Sequence, residues 1–376
     1  MKKTLPFVIV IILLVLWNLC LELRLSFIPE PFHPPLDPAA AARDTADGGF
    51  SREYGFYMRP YCYFWSDAHT HTCFGDLPRE ERIRELNLLH NLMYELDIVN
   101  CAVFCKTEED LALVDSLGKD APVWYVEYND PDVEKLRSYY ERYHIRAVKK
   151  HNIPLFYAQF NGDSVEFPLG SGKMQPVSVE MMVSPEWMRF YEVCQELGLP
   201  ITWHTNNRYG PSPYNFGGDN SKCWDGLPYN NDYVLHLVER ILETYPGIDL
   251  ILCHQGFMGH TKLSRLFERH PNLYIDTSAG YILQDGDYLT DEERARIRPF
   301  FIRWADRILF GSDANAMWEE LDTVSEHELR RHIYNHVHPF KRFIQHLYLP
   351  QPALSKVAHR NFERLFKMEP AGDWFY

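Results

Sequence analysis

The feature that most constrains this chain is an alternation beginning near Tyr61, in which short runs of β-branched and aromatic residues are separated by longer segments of helical periodicity. Such an alternation is typical of parallel strands joined by crossover helices. The eight predicted strands are residues 63–68, 97–104, 123–127, 145–149, 200–204, 249–254, 273–276 and 307–312. The clearest helical segments are residues 79–96, 133–143, 185–197, 233–245, 261–269 and 291–305. Since eight such units close into a (β/α)8 barrel, the sequence predicts a TIM barrel of the α/β class.

An open, doubly wound sheet is the alternative architecture. Such a sheet usually carries a glycine-rich phosphate turn after its first strand, and no such turn follows the first predicted strand here. Two long segments, residues 161–183 and 205–232, exceed what a minimal barrel needs. The second is rich in Asn, Gly, Pro and aromatic residues, which favours a loop over the mouth of the barrel that helps to form a substrate pocket.

The N-terminal segment has the pattern of a membrane anchor. Lys2 and Lys3 precede an apolar run over residues 5–21, which is just long enough to span a hydrocarbon core. Bulky residues follow that run, which favours an uncleaved anchor over a cleaved signal peptide or a lipoprotein processed at Cys20. The lysines then predict a single-pass membrane protein with its catalytic domain on the non-cytoplasmic side. The predicted domains are a transmembrane signal anchor over residues 1–25, a linker rich in Pro and Ala over residues 26–50, and the barrel over residues 51–376.

Charge and composition exclude some classes of partner and fold. The formal net charge of −14 repels phosphate backbones, so we expect no nucleic-acid partner. With 46% hydrophobic and 24% charged residues, most of the 376-residue chain has the composition of a soluble globular protein. The eight cysteines show no disulfide pattern. This leaves open either buried free thiols or pairs such as Cys101 with Cys105 and Cys223 with Cys253.

A His-x-His pair follows the first predicted strand. Residues two apart in a strand share a face, so His69 and His71 can both point into the barrel and bind one ion. The pair alone is a weak signal, because this spacing is often incidental. A second pair, His336 and His338, lies between helices without a preceding strand, and we interpret it as surface.

Three further polar residues lie where predicted strands end. His204 ends the fifth strand, His254 ends the sixth, and Asp313 follows the eighth. The carboxyl ends of barrel strands form the face on which catalytic groups collect. Each histidine alone could be a satisfied interior residue, but a purely structural account gives no reason for polar residues after four separate apolar runs. The pattern therefore predicts a catalytic centre at this end of the barrel.

This pattern resembles the amidohydrolase superfamily, and within it the amidohydrolase-related branch that includes aminocarboxymuconate-semialdehyde decarboxylase and related metal-dependent hydrolases. The resemblance covers residues 66–366; residues 273–278 resemble the seventh strand of that branch and residues 359–366 its closing helix. It implies that the ligands of one divalent ion are His69, His71, His204 and Asp313, with His254 beside the ion as an acid/base group. Three imidazoles and a carboxylate favour Zn²⁺ and leave Mn²⁺ or another first-row ion open.

Three residues are candidates for substrate binding. Some superfamily members bridge two metals with a carboxylated lysine after the fourth strand, where this chain has Lys149. We expect a one-metal site in which Lys149 orients an anionic substrate, with the bridging role as the alternative. Trp203 is one of several aromatic residues that indicate an apolar or aromatic ligand, unless they only pack the long loop. Arg208 could bind a substrate carboxylate or be exposed to solvent.

In such a site a metal-activated water attacks an amide, ester or lactone. Asp313 would orient the water and accept its proton, while His254, titrating near neutral pH, would stabilise the developing oxyanion or protonate the leaving group. The predicted function is a membrane-anchored, metal-dependent hydrolase with a small-molecule substrate. Non-oxidative decarboxylation by the same groups is the alternative, and an inactive ligand-binding barrel is a third. The sequence leaves the substrate and the oligomeric state open.

Overall fold

The computed structural model describes residues 62, 64–71, 78–105, 107–116, 123–127, 131–151, 164–166, 172–176, 179–204, 231–278, 290–315 and 326–370. The predicted anchor, residues 1–25, and the predicted linker, residues 26–50, lie outside these residues. The division of the chain into three parts therefore stays a prediction. The predicted loop over the barrel mouth also lies outside the described residues, except for its last two positions.

The strands alternate with helices along the chain. In chain order the strands are β1 (Trp65–His71), β2 (Ile98–Cys105), β3 (Val123–Glu127), β4 (Ala147–His151), β5 (Ser164–Glu166), β6 (Met174–Pro176), β7 (Ile201–His204), β8 (Leu250–Leu252), β9 (Leu273–Asp276), β10 (Ile308–Leu309) and β11 (Ala314–Asn315). One parallel sheet has the order β10, β9, β8, β7, β4, β3, β2, β1, β11. Strands β5 and β6 form a separate antiparallel hairpin in the first of the two long segments.

The parallel sheet closes on itself, because β10 and β11 are two parts of one eighth barrel strand. Strand β11 pairs with β1 in parallel. The amide of Ala68 donates to the carbonyl of Phe310 at 2.9 Å, and the amide of Asp313 donates to the carbonyl of His69 at 2.8 Å. The predicted barrel of eight parallel strands is therefore confirmed.

Helices surround the barrel and close one end of it. They are α1 (Arg79–Glu95), α2 (Glu108–Asp115), α3 (Val133–Tyr143), α4 (Pro185–Leu197), α5 (Asn231–Thr244), α6 (His260–Arg269), α7 (Asp291–Arg303), α8 (Glu326–His346), α9 (Gln351–Ser355) and α10 (Asn361–Leu365). The six helices predicted from periodicity are present, α10 lies within the closing helix over residues 359–366 that the resemblance implied, and α2, α8 and α9 are additional. Both His336 and His338 lie half-buried within α8, so the interpretation of this pair as a surface segment between helices is wrong.

Side-chain caps fix where several helices begin. Thr107 and Asp110 form a capping box at the start of α2, and Thr290 and Glu293 form another at the start of α7. In each box the threonine hydroxyl accepts from the third helical amide, while the acidic side chain accepts from the threonine amide. Backbone amides at the start of each helix, which have no acceptor within the helix, thus find local partners.

Buried apolar side chains form two clusters, one on each side of the sheet. The larger cluster lies between the sheet and the outer helices. The smaller cluster, inside the barrel, contains Ala68, Ala102, Phe104, Ala147, Ile251, Tyr274, Leu309, Phe362, Leu365 and Phe366. The side chain of Asn361 fixes α10 by donating to the carbonyls of Ala305 at 2.6 Å and Ile308 at 2.8 Å, where the eighth strand begins. Helix α10 therefore plugs the amino-terminal end of the barrel and leaves the other end for a site.

The described cysteines are buried free thiols. They are Cys62, Cys101, Cys105, Cys194 and Cys253. Cys101 and Cys105 are therefore not paired with each other, and Cys223 lies outside the described residues.

The structure contradicts the predicted membrane location. Within the described ranges, no helix is both long enough and apolar enough to cross a membrane. The longest of these helices, α8, carries Glu, Arg, Lys and His side chains, which are costly to place in hydrocarbon. The apolar run over residues 5–21 lies outside the described residues. The single-pass, non-cytoplasmic assignment is therefore withdrawn.

Candidate metal centre

Three predicted ligands converge at the carboxyl ends of barrel strands. The Nε2 atoms of His69 and His71 lie 3.1 Å apart. Oδ1 of Asp313 lies 3.1 Å from Nε2 of His69 and 2.8 Å from Nε2 of His71. Ligand atoms at zinc distances in a tetrahedral shell lie about 3.3 Å from one another. The three side chains therefore fit part of the coordination shell of one ion.

The two other predicted histidines lie beside this group. The ring centroid of His254 lies 5.1 Å from that of His69 and 4.7 Å from that of His204. His254 is buried, whereas His204 at the end of β7 is half-buried. The five polar residues singled out in the sequence thus lie in one cluster at the carboxyl end of the barrel.

Unusual backbone conformations hold two of these residues. After β8, the consecutive residues His254, Gln255 and Gly256 have φ of 57°, 53° and 57°, which is left-handed. Non-glycine residues adopt this region at a cost, and such strain concentrates at functional sites. Glycine suits position 256, because it adopts this backbone conformation without strain. Asp313 has φ of 59° as well.

Burial and neighbouring charges together set the charge state of the cluster. Burial lowers the pKa of His71 to about 4 and that of His254 to about 3. Burial opposes ionisation of Asp313, but His69, His254 and His71 hold the pKa of its carboxyl well below the usual range. Burial opposes protonation of His69, but the charges of Cys253, Asp313 and Asp276 raise the pKa of its imidazole well above the usual value. Neutral imidazoles and a carboxylate are the forms that bind a metal cation, so His69 loses a proton when it binds one. The expectation that His254 titrates near neutral pH is not met, because burial favours its neutral form.

Lys149 lies inside the barrel, against the same cluster. Its Nζ is 3.1 Å from Nε2 of His69, 3.0 Å from Sγ of Cys253 and 4.4 Å from the ring centroid of Phe104. The side chain is fully buried, and none of the described carboxylates lies within ion-pair distance of it. An anionic group that contacts both Lys149 and a metal cation bound at His69 would relieve the repulsion of the two positive charges.

The structure does not place the other two substrate-binding candidates, Trp203 and Arg208, at the centre. Trp203 is fully buried on the outer face of β7, where its ring centroid lies 5.7 Å from that of Tyr191 in α4. Because side chains alternate along a strand, Trp203 points away from the side on which His204 lies. Arg208 lies outside the described residues.

Comparison with known proteins identifies the family. The family profile described as Amidohydrolase (Amidohydro_2) matches residues 171–368, which is more than half of the chain. The chain belongs to the amidohydrolase family. No curated protein sequence matches it significantly.

Solved structures resemble this amidohydrolase only distantly. A 5-carboxyvanillate decarboxylase from Sphingomonas paucimobilis has 12% identity and a TM-score of 0.49, with 82% of this chain and 100% of that chain covered. A dihydroxybenzoic acid decarboxylase from Polaromonas, with bound manganese and an inhibitor, has 13% identity and a TM-score of 0.45, covering 81% and 97%. A probable 2-pyrone-4,6-dicarboxylic acid hydrolase from Acinetobacter baumannii has 12% identity and a TM-score of 0.44, covering 81% and 99%. Likeness at this level carries no argument about substrate or reaction.

The amidohydrolase chain also contains site residues that the sequence analysis did not single out. Asp67 is buried and accepts from the amides of His69 and Ser312 at 3.0 Å and from the Ser312 hydroxyl at 2.5 Å, which ties β1 to the eighth strand. Its burial raises the pKa of its carboxyl to about 7. Asp276 and Ser278, at the end of β9, lie between His69 and His254. The signal for the second pair was present, since both follow an apolar strand as the predicted ligands do.

The charge of Asp313 also acts on one histidine of helix α8 in this family member. Burial lowers the pKa of His336, and the charge of Asp313 acts in the opposite direction.

Proposed function

We propose that this amidohydrolase is a metal-dependent hydrolase acting on an amide, ester or lactone of a small molecule. The observation that carries the proposal is the convergence of His69, His71 and Asp313 on one point, with the His254 ring beside them. All four lie at the end of the barrel where catalytic groups of this fold collect.

We propose that four side chains hold one divalent ion: His69, His71, His204 and Asp313. Three nitrogen ligands and one oxygen ligand favour Zn²⁺ among common ions. When bound, such an ion lowers the pKa of a water molecule toward about 7 and polarises a carbonyl group. Family membership supports metal dependence but not the identity of the metal.

Two residues are proposed to move the proton during hydrolysis. Asp313 is ionised, and His254 is neutral because burial lowers its pKa to about 3. Each can therefore take a proton from a nucleophilic water molecule, and the group that takes it can return it to the leaving group. His254 thus begins the reaction as a base or hydrogen-bond acceptor rather than as an acid.

Lys149 is proposed to bind an anionic part of the substrate. The support is its full burial, its position 3.1 Å from Nε2 of His69, and the absence of a described carboxylate beside it. A substrate carboxylate that accepts from Nζ of Lys149 beside the ligand cluster would satisfy the lysine, since charge-assisted hydrogen bonds are the strongest in proteins. The proposed substrate class is therefore a carboxylate-bearing amide, ester or lactone.

Elemental analysis of the purified protein tests the metal. We expect close to one ion per chain, lost in His69→Ala because a removed ligand leaves the shell incomplete. Two tightly held ions per chain would contradict the one-metal site and would favour a carboxylated Lys149 as a bridge.

A substrate panel tests the reaction. Carboxylate release from amides, esters and lactones is measured beside CO₂ release from aromatic and unsaturated carboxylic acids, with and without chelator. Chelator-sensitive carboxylate release supports the proposal. Chelator-sensitive CO₂ release without hydrolysis would assign the site to decarboxylation.

A further inference from the structure

We propose that Asp276 and Ser278 are positioning residues that fix the tautomers of His69 and His254, so that both imidazoles present Nε2 to the metal centre. The inference rests on the proposed metal site. It adds that the carboxylate of Asp276, which is not a proposed ligand, determines the tautomer of both the ligand His69 and the acid/base group His254.

The first step is the contact between Asp276 and His69. Oδ2 of Asp276 lies 2.7 Å from Nδ1 of His69, and both side chains are fully buried. The other carboxylate oxygen of Asp276, Oδ1, accepts from the amides of His254 at 2.8 Å and Ser278 at 3.2 Å, so donors surround the carboxylate. A carboxylate oxygen can only accept, so the neutral imidazole of His69 carries its proton on Nδ1. The lone pair of Nε2 then faces His71 and Asp313.

The second step extends the same reasoning to His254. The Ser278 hydroxyl donates to Oδ1 of Asp276 at 2.6 Å, which uses its one proton. The hydroxyl oxygen lies 3.1 Å from Nδ1 of His254 and can therefore only accept there. The neutral imidazole of His254 thus carries its proton on Nδ1, and Nε2 is its basic nitrogen.

Asp276 also fixes the backbone that carries His254. Its Oδ1 accepts from the amide of His254 at 2.8 Å. The side-chain amide of Gln255 donates to the carbonyls of Asp276 and Ser278. The left-handed turn after β8 is thereby tied to the end of β9, and the position of His254 depends on the same two residues as its tautomer.

A purely structural role for this strand end is the competing explanation, and Thr277 provides the matched control. Thr277 lies between Asp276 and Ser278 in the sequence and is buried. Its hydroxyl accepts from the Gly311 amide at 3.0 Å and donates to the Gly311 carbonyl at 3.2 Å. Among the described residues, Thr277 makes no hydrogen bond to the side chain of His69 or His254. Thr277→Val therefore perturbs the same strand end without touching either imidazole.

The direct test is the ¹⁵N NMR spectrum of the histidine rings in metal-free protein, at a pH at which both imidazoles are neutral. We expect the Nδ1–H tautomer for His69 and His254, with the His254 signals assigned by their absence in His254→Asn. Asp276→Asn should change the His69 signals, and Ser278→Ala should change those of His254. The Nε2–H tautomer for either ring in the unaltered protein would overturn the proposal, whether or not the protein binds metal.

Co²⁺ and Zn²⁺ titrations provide the second readout. Asp276→Asn should weaken metal binding by about 10- to 100-fold and alter the visible spectrum of the Co²⁺ form. Ser278→Ala should keep the metal affinity and lower kcat more than it changes KM, and Ser278→Thr, which retains the hydroxyl, should recover kcat. Thr277→Val should lower Tm while metal affinity and kcat stay unchanged.

The outcomes separate the two proposals. If Asp276→Asn binds metal as tightly as the unaltered protein and with the same Co²⁺ spectrum, Asp276 does not position His69. If the unaltered protein binds no metal, the proposed function fails, and the NMR tautomers still decide the inference by themselves.

Discussion

Each face of strand β4 buries a lysine side chain, but the two lysines contact different kinds of group. Lys149 points into the barrel, where its Nζ lies 3.1 Å from Nε2 of His69. Lys150 points outward into the layer between sheet and helices, where its Nζ lies 3.7 Å from the ring centroid of Trp187 and 4.2 Å from that of Trp203. Both side chains are fully buried. Burial of a charged side chain therefore does not by itself indicate a functional residue. The groups that the side chain contacts do indicate it.

The environment of Lys150 accounts for its burial without any function. Besides the aromatic rings, Lys150 donates to the Tyr191 hydroxyl at 2.8 Å, and that hydroxyl donates to the carbonyl of Met182 at 2.9 Å. Burial lowers the pKa of Lys150 well below its usual range. Cation–π contacts offset part of the desolvation cost. The contacts of Lys149, in contrast, lie with the candidate ligands.

The largest effect should come from the inner face. His254→Asn should keep the metal content, because the proposed ligands remain, and should lower turnover by about 10²- to 10⁴-fold, as expected for a missing general acid or base. Asparagine also tolerates the left-handed backbone at this position. Metal analysis and kcat are measured together. Loss of metal in this variant would make His254 a ligand and would show that the proposed division of roles is wrong.

Lys149→Met should be next in size. The removal of one charge-assisted hydrogen bond to an anionic substrate should lower kcat/KM by about 10- to 100-fold, with the fold retained. Steady-state kinetics with a carboxylate substrate and its neutral ester analogue check this. If both substrates are affected equally, Lys149 does not recognise the anion.

Lys150→Met is the matched control on the outer face. It should leave kcat/KM unchanged and raise the free energy of unfolding at pH 7 by about 1–2 kcal/mol, because a buried charge is replaced by an apolar side chain of similar length. The pKa of Lys150 is lower in the folded than in the unfolded protein, so protonation favours unfolding. Stability of the unaltered protein relative to Lys150→Met should therefore rise with pH from the lowered pKa up to the ordinary value of 10.5. Chemical denaturation across this range measures it, and a parallel pH dependence in both proteins would contradict the assignment.

The smallest effect should come from the outer surface. Thr290→Ala removes the cap of α7 and should cost about 0.5–1 kcal/mol of stability without a change in metal affinity. Thermal unfolding and metal titration of the same samples check this. A change in metal affinity would mean that the outer helices are coupled to the site more strongly than their distance from it implies.

The strands and the cluster of polar residues at the carboxyl end of the barrel could be predicted from the sequence, because both follow from periodicity. Apolar runs predicted the strands, and the polar residues that end them, such as His204 and Asp313, share one face of a parallel barrel. The same periodicity excludes Trp203 as a substrate-binding residue, since the residue before His204 must point to the other side of β7. The left-handed turn at His254 could not be predicted, because it depends on long-range bonds from Gln255 to the end of β9.

The plug formed by α10 has a consequence for synthesis on the ribosome. Phe362, Leu365 and Phe366 complete the apolar interior of the barrel, yet they follow all eight of its strands in the sequence. While the ribosome is still translating the segment before them, the nascent strands have no side chains with which to fill the amino-terminal end of the barrel. The domain can therefore complete its folding only after these residues have left the exit tunnel, and until then its unfilled interior is a surface to which chaperones can bind.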